Sequence, residues 1–310
     1  MAEHPKDLLS LADWPRASVE GLLARAAELK RLRGSDRHPR PLAGRSVLLY
    51  FAKPSLRTLV TFQVGVAELG GHPVLLPPGQ VRIGEREPLE DVARNLERWV
   101  HAVVARVYGH DMIETLAAHA RVPVINALSD LLHPCQALAD ALTVAENADL
   151  KHARLTYLGD GNNMAHSLLN LAGCLGLRLV VCTPPDYAPD PGLAERAAER
   201  ASESGGEIRL ESDPRAAVER ADFVYTDVWA SMGQEDEAAA RAEVFRPYQI
   251  NAELLAAAPA SVRLLHCLPA HRGEEITHEV FESDASLVFD QAENRLHAQK
   301  AVLELLATPD

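Results

Sequence analysis

The sequence predicts an α/β protein of two doubly wound domains, each with a mainly parallel sheet flanked by helices, and three observations carry that expectation. At 310 residues the chain is longer than one hydrophobic core usually organises. Short β-rich apolar runs alternate with helical patterns through almost its whole length. A polar stretch, Asn147–His152, separates one series of strands from a second. The expected division is residues 1–147 and 148–289, with a terminal helix within 290–310 packing back on the first domain.

The first series opens with the strand Ser46–Phe51, followed by a helix carrying Leu59, Phe62, Val66 and Leu69 on one stripe. Strands are then expected at Pro73–Leu76, Ala102–Val107 and Pro123–Asn126, with helices near Leu89–Trp99, Asp111–Ala120 and Pro134–Glu146. The second series has strands at Leu155–Leu158, Arg178–Cys182, Glu207–Leu210, Asp222–Tyr225 and Arg263–His266, and helices near Asn163–Cys174, Gly192–Ser204 and Asn251–Ala257. A final strand, Leu287–Phe289, precedes a helix over about Asp290–Leu306 with Leu296, Leu303 and Leu306 on one face. The segment Pro77–Pro88 lacks either periodicity and holds three prolines and two glycines, so it is read as a loop of functional length. Ala238–Ala242 fits a surface helix.

Composition narrows the class. With 47% apolar and 24% charged residues, the chain is neither disordered, collagen-like nor disulfide-stapled. Its opening places charges where a signal peptide needs an apolar run, and no stretch approaches the roughly 18 apolar residues of a membrane span. A net charge of −13 repels nucleic acid and anionic membranes, so an anionic ligand must be held by locally clustered arginine or lysine. Cys135, Cys174, Cys182 and Cys267 show no CxxC spacing and point to a reducing compartment. The expectation is a cytoplasmic protein with no nucleic-acid or membrane partner.

Five clusters could carry chemistry. In Phe51-Ala-Lys-Pro-Ser-Leu-Arg-Thr58 a strand ends and a helix begins, offering free backbone N–H groups with Ser55, Arg57 and Thr58 as added donors for a phosphate or carboxylate. The competing reading has Ser55 as a simple N-cap and Arg57 as a solvated charge. No P-loop pattern occurs, which counts against an ATPase. In His133-Pro-Cys-Gln136, Pro134 suits the first turn of a helix and puts His133 and Gln136 on one face, able to bond a carbonyl and an NH₂ of one small ligand; the alternative is a helix cap. Leu158-Gly-Asp-Gly-Asn-Asn163 resembles the opening of a dinucleotide fold. Met164 stands where the fingerprint needs a small residue, and no acidic residue ends the next strand, so an NAD-dependent oxidoreductase is disfavoured. Asp227-Val-Trp-Ala-Ser-Met-Gly-Gln-Glu235 and His266-Cys-Leu-Pro-Ala-His-Arg-Gly273 both follow strands, at the expected carboxyl edge of the sheet. Asp227 can bind an ammonium; Cys267 is open to roles as nucleophile, metal ligand or packed thiol, and its spacing to His271 is weak evidence for zinc.

Taken in order, these five elements resemble the carbamoyltransferases, on the ornithine side of the aspartate/ornithine superfamily, and Glu293-Asn-Arg295 extends the likeness into the last helix. The resemblance implies transfer of a carbamoyl group from carbamoyl phosphate to the δ-amine of L-ornithine, giving citrulline, with no cofactor or metal. A transfer to putrescine or an acylated ornithine is the alternative within the class, and a noncatalytic homologue the alternative outside it. By resemblance, Ser55, Leu56, Arg57, Thr58, Arg106 and Arg295 hold the phosphate, His133 meets the carbonyl oxygen and Gln136 the amide. Asn163, Asp227, Ser231 and Met232 receive the amino-acid end of ornithine, while Cys267 and Leu268 lie near the reacting atoms, Cys267 orienting rather than attacking. The catalytic set is then Arg57, Arg106, His133 and Cys267. The resemblance also implies a trimer or an assembly of trimers with shared active sites, Gln80 reaching the neighbour's phosphate, and a cis Leu268–Pro269 bond. Leu59 and Gln63 stand where relatives commonly carry an Arg and Glu pair, which leaves the helix electrostatics open but not the phosphate ligands.

Overall fold

The computed structural model describes residues 4–76, 79, 82–230 and 235–308. Chain contacts divide it into two units, one of residues up to Leu142 together with those from Glu293 onward, the other Thr143–Ala292.

In the first unit, helix α1 (Arg16–Leu32) precedes β1 (Ser46–Phe51), α2 (Leu56–Glu68), β2 (His72–Leu76), α3 (Leu89–Trp99), β3 (Ala102–Arg106), α4 (His110–His119), β4 (Val124–Leu128) and the start of α5 (Pro134–Asn147). The sheet order is β2-β1-β3-β4, and all its pairings are parallel. Leu48, Tyr50, Val103, Ala105 and Val124 pack on Leu96 of α3 and Ile113 and Leu116 of α4. Each fully buried valine, leucine or isoleucine among them contributes about 1.5–3 kcal/mol.

The second unit continues with β5 (Arg154–Leu158), α6 (Asn163–Leu175), β6 (Arg178–Cys182), α7 (Pro191–Glu203), β7 (Glu207–Glu211), α8 (Pro214–Val218), β8 (Phe223–Thr226), α9 (Ala238–Phe245), α10 (Ala252–Leu255), β9 (Arg263–His266) and α11 (His278–Phe281). Its sheet order is β7-β6-β5-β8-β9, again parallel throughout. Leu158, Val224 and Leu264 pack with Val218, Ile250, Val280 and Phe281. Helix α6 is buried from Met164 to Leu175, as its apolar sequence requires, and closes on Gly176 in the left-handed conformation (φ 68°).

Helix α12 (Val288–Ala307) returns the chain to the first unit. Within that unit Leu296 and Leu303 lie over Gly65 of α2, where a Cβ would come within 3.6 and 3.8 Å of them. Charged and polar contacts fasten it further: Lys300 Nζ to Glu68 (2.7 Å), Arg25 to both oxygens of Glu304 (2.8 and 2.9 Å), and Lys30 to Asn294 (2.9 Å).

Two features depart from the expectations. The strand expected at Leu287–Phe289 is absent: an isolated bridge joins Ser286 to Leu264, Leu287 N donates to the Leu264 carbonyl (2.9 Å), and the helix begins at Val288. A three-residue apolar run can serve the first turn of a buried helix as well as an edge strand. Helix α1 was not among the expected elements, although Val19, Leu22, Leu23, Ala26 and Leu29 are buried at helical spacing.

Candidate active site

In a parallel sheet, helices leave the strands on opposite sides where the strand order reverses, which opens a crevice at the carboxyl ends. In the first unit β1 is that point, flanked by β2 and β3. Its last residue, Phe51, is in register with Arg106 at the end of β3, and Ala52 N donates to the Arg106 carbonyl (2.8 Å). Arg106 therefore emerges beside the turn leading into α2.

That turn starts a helix whose N-cap side chain does not cap it. Ser55 occupies the N-cap position in extended conformation, yet its side chain makes no capping hydrogen bond, so the capping alternative does not hold. The N–H groups of Leu56, Arg57 and Thr58 stand in the first turn, where helix geometry supplies no intrahelical acceptor. The Leu56 side chain is 74% exposed, leaving its backbone as its contribution. Arg295, delivered by α12, donates from Nη2 to Thr58 Oγ1 (2.5 Å).

Arg57, Arg106 and Arg295 thus converge. Arg106 is 7% exposed, and burial followed by the charges of Arg295 and then Arg57 holds its pKa down to about 10. Its Nε is buried with no hydrogen-bond partner among the described residues. Lys53 adds a further buried cation, its Nζ lying 4.3 Å from the Tyr108 ring centroid; burial and then Arg106 lower its pKa. Like charges gathered out of water are unfavourable until an anion joins them.

The amino end of α5 supplies the neutral groups. Pro134 is its first residue, and the His133 carbonyl accepts from Gln136 N and Ala137 N (3.1 and 3.2 Å). The His133 ring is buried, and burial with the charges of Arg295 and Arg106 keeps its pKa well below the ordinary imidazole value, so it is neutral at pH 7. Gln136 is fully buried and donates from Nε2 to Asp140 Oδ1 (2.8 Å).

In the second unit β5 is the reversal point, between β6 and β8. Leu158, Thr226 and His266 end β5, β8 and β9 side by side, and the residues that follow meet. Asn162 caps α6, accepting from Met164 N and Ala165 N, and donates from Nδ2 to Asp227 Oδ2 (3.1 Å). The other Asp227 oxygen accepts from Val228 N (2.8 Å) and from Cys267 Sγ (2.9 Å). Asn163, half-buried, is the first residue of α6. Leu268–Pro269 is cis, as the resemblance implied, and Leu268 has φ 62°. Next to it His266 Nε2 lies 3.0 Å from Glu275 Oε1, and its Nδ1 accepts from Leu268 N (2.9 Å). His271, Glu274 and Glu275 bring ligand-type atoms within 4.8 Å of one another, but Glu275 Oε1 is already engaged by His266 and by His271 N (2.5 Å).

Gly161 in the Gly-Asp-Gly turn meets the chain at Tyr187–Pro189. Its N–H donates to the Tyr187 carbonyl (2.8 Å), and a Cβ there would stand 2.3 Å from Pro189 N. The glycine serves close chain packing. Sequence reasoning missed Asp160 as a buried partner of Arg241, which also donates to the Trp229 carbonyl (2.5 Å). It missed Asp140 and Lys53 as well; Asp140 stands four residues after Gln136, a spacing that pairs side chains on a helix. Gln80, Ser231 and Met232 lie outside the described residues.

Two family models match the chain, one after the other. The carbamoyl-P binding domain of the aspartate/ornithine carbamoyltransferases matches residues 6–146, and the Asp/Orn binding domain matches residues 151–306. The ornithine carbamoyltransferase of Acidothermus cellulolyticus is 52% identical over 297 residues, 95% of this chain and 94% of the relative. That of Halalkalibacterium halodurans is 49% identical over 303 residues, 97% of this chain and 95% of the relative. Among solved structures, ornithine carbamoyltransferase from Pyrococcus furiosus superposes with a TM-score of 0.94 at 47% identity, covering 98% of this chain and 97% of its own. With both domains matched and relatives this similar along nearly the whole length, the chain belongs to the aspartate/ornithine carbamoyltransferase family.

Proposed function

We propose that the chain transfers the carbamoyl group of carbamoyl phosphate to the δ-amine of L-ornithine, giving L-citrulline and phosphate. The observation that carries this reading is the convergence of Arg57, Arg106 and Arg295 at the first turn of α2 in an otherwise acidic chain. A phosphate dianion relieves the mutual repulsion of those cations, through charge-assisted hydrogen bonds worth about 1.5–3 kcal/mol each. Ser55, the N–H groups of residues 56–58, and Thr58 complete its ligands. His133, being neutral, donates an N–H to the carbamoyl oxygen, and Gln136 accepts from the carbamoyl NH₂.

Ornithine is held by the second unit. The Asp227 carboxylate, fixed by Asn162, Val228 N and Cys267, takes the α-ammonium, with Asn163, Ser231 and Met232 completing the grip. The neutral δ-amine attacks the carbonyl carbon, and Arg57, Thr58 and His133 stabilise the tetrahedral oxyanion. The C–O bond to phosphate then breaks, the leaving oxygen takes the electron pair, and the amine's proton is released as the new C–N bond is completed. Holding both substrates in register supplies most of the acceleration, with no covalent enzyme intermediate. The amine must shed a proton first, so the rate rises from pH 6 to 9.

All four cysteines are buried and free of disulfides, which supports a reducing, cytoplasmic setting. The Pro77–Pro88 segment, with Gln80, is assigned to the phosphate site of a neighbouring copy in a trimer or an assembly of trimers. The deciding experiment is citrulline formation from ornithine and carbamoyl phosphate, repeated with Arg57→Ala. The variant is expected to stay folded while turnover falls by at least a hundredfold; near wild-type activity would defeat the assignment.

A further inference from the structure

The amide of Gln136 faces two ways. Its Nε2 donates to Asp140 Oδ1 at 2.8 Å, while its Oε1 is buried with no hydrogen-bond partner among the described residues. A glutamine amide turned by half a circle occupies nearly the same space, so shape alone does not decide which atom faces the ligand. A carboxylate does decide it. An ionised Asp140 offers only acceptors, and the Gln136 oxygen turned toward it would bring two acceptors together with no hydrogen between them. Gln136 and Asp140 are fully buried one helical turn apart on α5.

We infer that Asp140 is a positioning residue for substrate choice: it locks the Gln136 amide with its oxygen toward the ligand, so that the site accepts a group carrying N–H and rejects an isostere carrying methyl. The inference rests on the assignment of Gln136 to the carbamoyl NH₂. Its chemical consequence is discrimination between carbamoyl phosphate and acetyl phosphate, which differ by NH₂ against CH₃. A methyl facing the fixed oxygen leaves a buried acceptor unpaired; released from Asp140, the amide can turn its own NH₂ toward the ligand, and the carbamoyl group loses its advantage.

The test measures selectivity, defined as the inhibition constant of acetyl phosphate divided by the KM of carbamoyl phosphate, for the wild type, Asp140→Ala, Asp140→Asn and Gln136→Ala. Asp140→Ala is expected to lower selectivity about tenfold, chiefly by raising the carbamoyl phosphate KM, with the acetyl phosphate constant changing less than about threefold. Asp140→Asn, which can pair with either sense of the amide, is expected to fall between the two. General loosening of the site would weaken both anions alike and leave the ratio unmoved. If Gln136→Ala lowers selectivity and Asp140→Ala does not, Asp140 has no such role. If Gln136→Ala itself keeps wild-type selectivity, the assignment of Gln136 fails and takes the inference with it. Should Asp140→Ala not fold, Asp140→Asn decides: a fall of threefold or more supports the lock, and an unchanged ratio overturns it.

Discussion

Replacing Arg106 by methionine separates what the arginine does for the ligand from what it does for the fold. The guanidinium is 7% exposed, and its Nε has no hydrogen-bond partner among the described residues. Burial and the neighbouring Arg295 and Arg57 hold its pKa down to about 10. A tenfold change in proton affinity corresponds to about 1.4 kcal/mol, so keeping this group charged in the empty site costs about 3 kcal/mol. Methionine matches most of the stem and removes the charge. The ligand-free variant is therefore expected to be no less stable than the wild type, and up to about 3 kcal/mol more stable. The same change removes a ligand of the dianion, and kcat/KM for carbamoyl phosphate falls by about a thousandfold. The assay is denaturant unfolding in phosphate-free buffer, paired with a thermal shift on adding inorganic phosphate, which stabilises the wild type by mass action and the variant much less. A ligand-free variant destabilised by more than about 2 kcal/mol would refute the reasoning, because Arg106 would then be paired within the fold rather than waiting for an anion.

Two further outcomes are expected. Cys267→Ala keeps measurable turnover, at a cost of about tenfold to a hundredfold in kcat/KM for ornithine, because the thiol steadies Asp227 through the 2.9 Å contact rather than attacking; loss of all citrulline formation, or a carbamoylated Cys267 peptide in a quenched wild-type reaction, would contradict this. His297 is buried on α12 with Nε2 3.3 Å from Glu293 Oε1, and burial, partly offset by Glu293, lowers its pKa to about 4. Between about pH 6.5 and 4 the unfolded chain protonates this ring while the folded chain does not, so stability falls with pH across that window by up to about 3 kcal/mol. His297→Gln removes this share of the fall, so the Tm difference between variant and wild type at pH 8 should shift in the variant's favour at pH 4.5; parallel Tm curves would exclude the effect.

What could be read in advance followed how local the signal was. The strands Ser46–Phe51, Arg178–Cys182 and Arg263–His266 match residue for residue, because a parallel strand covered on both faces is written as an unbroken apolar run. The run Leu287–Phe289 shows the limit of that rule, since three residues fit a strand and the start of a buried helix equally well. For the site, helix-start donors at Ser55–Thr58 and the His133–Gln136 spacing were legible as chemistry. The meeting of Arg57 with Arg106 and Arg295 was not, because it depends on the β1–β3 register and on the return of α12; only resemblance pointed there. The pair of Arg241 with Asp160 is long-range in the same way. Gln136 and Asp140 differ, for their spacing was visible and only their burial was not.

The return of α12 bears on how the protein is made. A ribosome delivers Arg57 and Arg106 first and Arg295 only near the end, so the arginine cluster stays short of a guanidinium, and α2 stays uncovered at Gly65, until Leu296 to Leu303 have emerged. A premature stop at about residue 290 therefore strikes the unit translated earliest: it removes Arg295 from the arginine cluster and bares the apolar face of α2 to aggregation, although every strand of both sheets has already been synthesised.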